Sequence, residues 1–147
     1  MTKFEELEKV VSNVNQGPPS TKPVYFTARA TQDTTASAII PFSNVHGEQD
    51  SGFIGSTGIM TAKISGLYYL TFSLETKIKS TSTNAELHHN GNRVCRGYSN
   101  GETYEMISCS VTIILKQNDT VNVKLTQGKI HSGTESCTFT GFLIHNL

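Results

Sequence analysis

From Val24 to the C-terminus, apolar residues recur at every second position in short runs, a period that admits little besides β-structure. In "VYFTARA", Val24, Phe26, Ala28 and Ala30 share one face, while Tyr25, Thr27 and Arg29 share the other. "SCSVTIILK" aligns Cys109, Val111, Ile113 and Leu115, and "DTVNVKL" aligns Val121, Val123 and Leu125. "CTFTGFLI" closes the chain with Phe139, then Gly141 and an apolar run. Turn signals separate the runs at Asn90-Gly91, Asn100-Gly101, Asn118-Asp119, Gly128 and Gly133. Many short strands with regular turns predict an all-β domain, either a β-sandwich or a jelly roll.

Residues 1–16 follow a different period. Thr2 and Glu5 have the form of a capping box, in which each side chain satisfies an orphan amide at a helix start. Phe4, Leu7, Val11 and Val14 then fall at spacings of a heptad seam, less than two heptads long. The pattern predicts a short helix, read either as an amphipathic lead-in or as the end of an oligomerising stalk. So short a helix is marginal alone in water. Within "QGPPSTKP", Gly17 ends the helix and the prolines keep residues 17–23 extended as a linker. Residues 24–147 remain as one globular head, long enough for a single core.

Lys and Arg total 12, and so do Asp and Glu, so the chain carries no net charge. Such a balance offers no electrostatic reason to expect nucleic acid or an anionic membrane as partner. No apolar stretch approaches bilayer length, which argues against membrane insertion. Phe4 to Val14 is interrupted by Glu5, Glu6, Glu8 and Lys9 and is not a signal peptide. A cytosolic chain and an extracellular one freed of its leader read alike here. Nor does the sequence offer a nucleophile with a local partner, a phosphate-cradling glycine loop or a metal-ligand cluster. No enzymatic activity is expected.

Several residues are candidates for finer roles. His88 and His89 adjoin Asn90-Gly91 and lie near Arg93 and Arg96; neighbouring strand positions point to opposite faces, so the two imidazoles are ill placed to share one metal. A polar hairpin and a ligand-contacting loop are both open readings. His46, His131 and His145 are isolated and read as surface or satisfied residues. Cys95 and Cys109 stand symmetrically about Asn100–Glu102, so a hairpin centred there would bring them within disulfide reach, leaving Cys137 buried and inert. Three free thiols is the competing reading. Asn118-Asp119-Thr120 is a glycosylation sequon in a predicted turn, where Asp119 is better suited to cap the turn than to bind an ion.

Six segments, "VYFTARA", "IIPFSNV", "TGIMTAKISGLYYLTF", "LHHNGNRV", "IILKQNDTVNVKL" and "FTGFLIHNL", resemble in order and separation the globular head of complement C1q. That family shares the tumour-necrosis-factor-like jelly roll, so the likeness implies an all-β jelly-roll sandwich of about ten strands. The likeness spans about Val24 to Leu147. Met60, Lys63, Leu70 and Asn118 depart from the pattern, where an aromatic, a proline, a phenylalanine and a glycine are usual. No Gly-X-Y tract is present, so the likeness implies a stand-alone head rather than a collagen-stalked molecule.

The resemblance implies a secreted homotrimer packed about a threefold axis. Tyr68, Tyr69, Phe139 and Phe142 are the aromatic candidates for core or subunit interface, with one of the adjacent tyrosines inward and the other outward. It further implies lectin-like recognition of carbohydrate or microbial surfaces in innate immunity, with His88, His89, Asn92, Arg93, Arg96 and Tyr98 as candidate contacts. A cytokine-like ligand for a cell-surface receptor and a structural trimerising module are the alternatives. No cofactor is implied with certainty. Some relatives hold calcium through acidic loop residues, for which Asp33, Glu48 and Asp50 are the acids at hand, although nothing in their spacing singles them out.

Overall fold

The computed structural model describes residues 2–7, 22–77, 79, 81–132 and 135–147. Thirteen strands follow one another: β1 (Tyr25–Arg29), β2 (Thr34–Thr35), β3 (Ala38–Ile39), β4 (Asn44–Gln49), β5 (Phe53–Ile54), β6 (Ile59–Thr61), β7 (Gly66–Glu75), β8 (Thr83–His89), β9 (Asn92–Ser99), β10 (Met106–Leu115), β11 (Thr120–Gln127), β12 (Lys129–Ile130) and β13 (Thr138–Asn146). The excess over ten comes from β2, β3, β5 and β12, each only two residues long. One sheet runs β10-β7-β13-β1-β4 and the other β5-β6-β11-β8-β9, with β3 on β11 and a β12-β2 pair apart. Consecutive long strands mostly cross from sheet to sheet, as a jelly roll requires.

Alternation governs what faces what. Along β7, Tyr68, Leu70, Phe72 and Leu74 are buried, and Leu67, Tyr69, Thr71 and Ser73 face out and stay half-buried. Phe26, Phe53 and Phe139 from three strands meet in the core, Phe26 stacked on Phe53 at 4.3 Å and set edge-on to Phe139 at 4.9 Å. Gly141 makes that packing feasible: a Cβ there would lie 2.6 Å from both Leu70 Cδ2 and Phe26 Cε1. Tyr68 is the inward tyrosine. Its ring is 1% exposed, and its hydroxyl donates to the Ile64 carbonyl at 2.6 Å, which supplies the partner a buried phenol needs.

At the N-terminus the capping box forms. The Glu5 N–H donates to Thr2 Oγ1 at 3.2 Å, and the Thr2 N–H donates to a Glu5 carboxylate oxygen at 2.9 Å. Residues 3–7 are helical, with Phe4 and Leu7 exposed. Val11, Val14 and most of the expected linker lie outside the described residues; Lys22 and Pro23, at its end, are exposed. No described helix is long and apolar enough to cross a membrane.

Candidate functional site

The solvent face of the second sheet carries a grid of polar side chains. Register places Lys124, Glu86 and Arg96 in one row across β11, β8 and β9, with Asn122, His88 and Arg93 in the next. A third row holds Thr126, Asn84 and Tyr98. These positions face outward because their alternates, Val123, Leu87 and Cys95 among them, point to the core.

Glu86 is the hub. Its carboxylate oxygens accept from His88 Nε2 at 2.9 Å, from Asn84 Nδ2 at 3.1 Å and from Arg93 Nη1 at 3.2 Å. Burial pushes this carboxyl up, but the bonds from His88, Asn84 and Arg93 together outweigh it and hold the group below its ordinary range. Because the carboxylate only accepts, His88 carries its hydrogen on Nε2. Asn84 is equally committed. Its amide also donates to Thr126 Oγ1 at 2.6 Å, and its oxygen accepts from Arg96 Nη1 at 3.3 Å. The Arg96 guanidinium lies 5.4 Å from the centre of the Tyr98 ring, and the Tyr98 hydroxyl donates to Ser82 Oγ at 3.3 Å. Arg93 thus bonds the one carboxylate directly, while register sets Arg96 and Lys124 on the strands to either side of it.

Two of the six expected contacts fall outside the grid. His89 turns to the end of the β8–β9 hairpin, where its Nε2 lies 2.8 Å from Asp119 Oδ2, and Asn92 sits exposed past the turn. The reason is alternation plus a bulge: His89 pairs with core-facing Val121, and the β8–β9 register shifts between Leu87 and His88. Asp119 binds the turn together, accepting from Asn90 Nδ2 at 3.0 Å and from the Lys116 N–H at 2.9 Å. Bonds from Asn90, then His89, then Lys116 hold its carboxyl down at about 2. Asn118 is exposed in the same turn at φ 75°.

Cys95 and Cys109 are disulfide-bonded with their Cα atoms 6.2 Å apart, but not across a hairpin. β9 and β10 belong to different sheets, so the bridge spans the edge of the sandwich. Cys137 is buried, and burial above all pushes its thiol up to about 11. The acids considered for calcium do not form a site. Asp33 is bound by Lys77 and Ser132; Asp50 accepts from Gln49; Glu48 lies in β4, not in a loop, and caps Ser51. Among the described residues no three His, Cys, Asp or Glu side chains converge as a metal set.

The C1q domain family model matches residues 25–144. This chain belongs to the C1q domain family. Human complement C1q tumor necrosis factor-related protein 3 is 31% identical over 134 residues, covering 86% of this chain, and the mouse protein of the same name is 29% identical over 130 residues with equal coverage. The chain spans about half the length of these relatives, 53% in each case. The globular domain of zebrafish complement 1qA superposes with a TM-score of 0.69 at 18% identity, covering 86% of this chain and all of that one. Murine APRIL superposes at 0.71 and 11% identity, covering 84% of this chain and all of that one. At such identities the likeness concerns the fold.

The other outward face of this C1q domain has a contrasting character. Tyr69 and Phe142 pair across β7 and β13 with ring centres 5.3 Å apart, and Tyr25 is the register partner of Phe142. Ile114 and Leu67 continue the band toward β10. Phe142 remains 42% exposed and Ile114 55%. Phe139, by contrast, is a core residue, and so is Tyr68. Of the residues that organise the domain's two faces, Asn84, Glu86, Lys124 and Thr126 were not singled out by sequence. An isolated charged or polar residue in an alternating strand signals only the solvent side; the register of β8 against β9 and β11 reveals the convergence.

Proposed function

We propose that this C1q domain is a secreted, non-enzymatic recognition module that trimerises through the Tyr69–Phe142 face and presents the Glu86 grid to acidic carbohydrate on cell or microbial surfaces. The carrying observation is the excess of Arg93, Arg96 and Lys124 over Glu86 on a preordered face. Arginine forks onto a carboxylate or sulfate, and little side-chain entropy is lost on binding because both guanidinium groups are already placed. The net-neutral chain makes single contacts weak, so three copies matter: avidity can raise affinity by roughly 10²–10⁴ when geometry permits. The bridge between Cys95 and Cys109 suits an oxidising, extracellular setting.

The test is a glycan array probed with the native oligomer, with and without calcium. Saturable binding to acidic glycans that falls at least tenfold in Arg93→Ala and Arg96→Ala supports the reading. The relatives named as tumor necrosis factor-related favour a second reading, a ligand for a cell-surface receptor. No glycan binding together with a high-affinity protein receptor would establish that reading and end the first.

A further inference from the structure

A cleft of about 420 Å³ opens at the end of the sandwich that carries the β10–β11 turn. Its walls come from segments far apart in the chain: Glu48, then Phe53 and Ile54, then Lys63, and finally Gln117 and Asn118. None of these belongs to the Glu86 grid. The volume falls in the roughly 300–1,000 Å³ span of small-molecule sites.

The walls are held in place. Ser51 donates to one Glu48 carboxylate oxygen from its N–H at 2.8 Å and from its hydroxyl at 2.9 Å. The Asn118 N–H donates to the Ala62 carbonyl at 2.7 Å, and the Gln117 N–H donates to Ser65 Oγ at 2.8 Å. Gly52, at φ +77°, lets the β5 segment close on Thr61; a Cβ there would lie 1.9 Å from the Thr61 carbonyl oxygen. A cleft restrained in this way loses little freedom on receiving a ligand.

Its charge pattern is specific. Glu48 and Lys63 line the same cleft, yet among the described residues neither has an ion-pair partner, and they do not pair with each other. Phe53 and Ile54 supply apolar wall, and the amides of Gln117 and Asn118 add neutral donors and acceptors. A lone anion would meet Lys63 but be opposed by Glu48, and a lone cation would meet the reverse. A molecule carrying both charges can meet both walls at once.

We propose that the cleft binds a small zwitterion, its primary ammonium on Glu48 and its acid group on Lys63. Free amino acids and phosphoethanolamine groups of surface lipids or glycans share that chemistry. The test titrates the ¹⁵N-labelled native oligomer with β-alanine and with phosphoethanolamine, using propionate and propylamine as single-charge controls. Amide shifts of Ile54, Lys63 and Asn118 are the readout. At least one zwitterion should saturate at low millimolar concentration, with both controls at least tenfold weaker. A response to β-alanine alone identifies the amino-acid source, and one to phosphoethanolamine alone the surface group. Lys63→Met and Glu48→Gln should each weaken binding at least tenfold; should Glu48→Gln disturb the Ser51 turn, Lys63→Met decides. Arg96→Ala, on the separate outer face, should leave the titration unchanged whatever becomes of glycan binding. The proposal is overturned by no saturable shift up to about 50 mM of either zwitterion, well past the ~1 mM expected of so small a ligand. It is equally overturned by controls that bind as tightly, or by an unaltered Lys63→Met.

Discussion

The two outer faces of this sandwich solve opposite problems. On the first sheet, Tyr25, Tyr69 and Phe142 form a band of rings bordered by hydroxyl pairs such as Thr71–Ser110 and Thr27–Thr140, 2.7 and 3.0 Å apart. On the second, Glu86 draws histidine, asparagine and arginine into one bonded lattice. Large rings left half in water gain by being covered, whereas a lattice already satisfied internally gains nothing from burial. That contrast is what supports the proposal of self-association through the first face and ligand contact through the second.

The largest expected effect lies on the oily face. Burying one aromatic side chain is worth about 1.5–3 kcal/mol, so three copies at ~2 kcal/mol each amount to about four decades in the assembly constant. Tyr69→Asp and Phe142→Asp should therefore convert a trimer of the 16.0 kDa chain into single chains, read by sedimentation velocity. Arg96→Glu should leave the trimer intact. If wild-type protein sediments as one chain at micromolar concentration, or if the aspartate variants stay trimeric, the assignment of the first face is wrong.

Next in size is the bridge that ties the two sheets at their common edge. Replacing Cys95 and Cys109 with serine should lower unfolding free energy by ~2–4 kcal/mol in urea titration, as expected for a short closed loop. A loss below about 1 kcal/mol would mean that packing between the two sheets already holds β9 against β10 without the bridge. A smaller effect is expected at the hub. Glu86→Gln removes the charge from the bonds to Arg93 and His88 and should cost ~1–2 kcal/mol, while Thr71→Val on the opposite face should stay within about 0.5 kcal/mol. Equal losses on the two faces would erase the distinction between a lattice and a band.

Sequence reasoning reached the fold because period-two alternation is a local signal: Phe26, Ala28, Val121, Val123 and Leu125 are buried where alternation puts them. It reached one member of the tyrosine pair only as a choice, since alternation separates neighbours without saying which is inward. The Ile64 carbonyl, within hydrogen-bond reach of Tyr68, decides that from structure. The cysteine pairing was legible, but its setting was not: spacing about Asn100–Glu102 looks the same for a hairpin and for a crossing between sheets. His89 and Asn92 were grouped with Arg93 because they are neighbours in sequence, and a one-residue bulge parts them. Glu48, Lys63 and Asn118 each drew notice separately, but the cleft they share was not legible, since its walls come from segments some seventy residues apart.

The smallest effect concerns acid, and it separates the hairpin end of the second sheet from the face of the first. Asp119 is held at about 2, by Asn90 first and then by His89 and the Lys116 amide, against an ordinary value near 3.9. A depressed carboxyl stabilises the fold fully above its unfolded value and loses that contribution as pH falls through the folded one. Hydrogen-exchange protection of the Asn90, Lys116 and Thr120 amides should therefore decline between about pH 4 and pH 2, while amides of β7 and β13 hold theirs. Asp33, also held at about 2, by Lys77 first, bonds Ser132 beyond the opposite end of β7, so its local effect falls there and not on the Asn90 turn. Asp119→Asn should abolish the decline, because nothing is left there to protonate. Protection at Asn90 that stays flat across the window, or falls in step with β7, would show that Asp119 does not hold the turn.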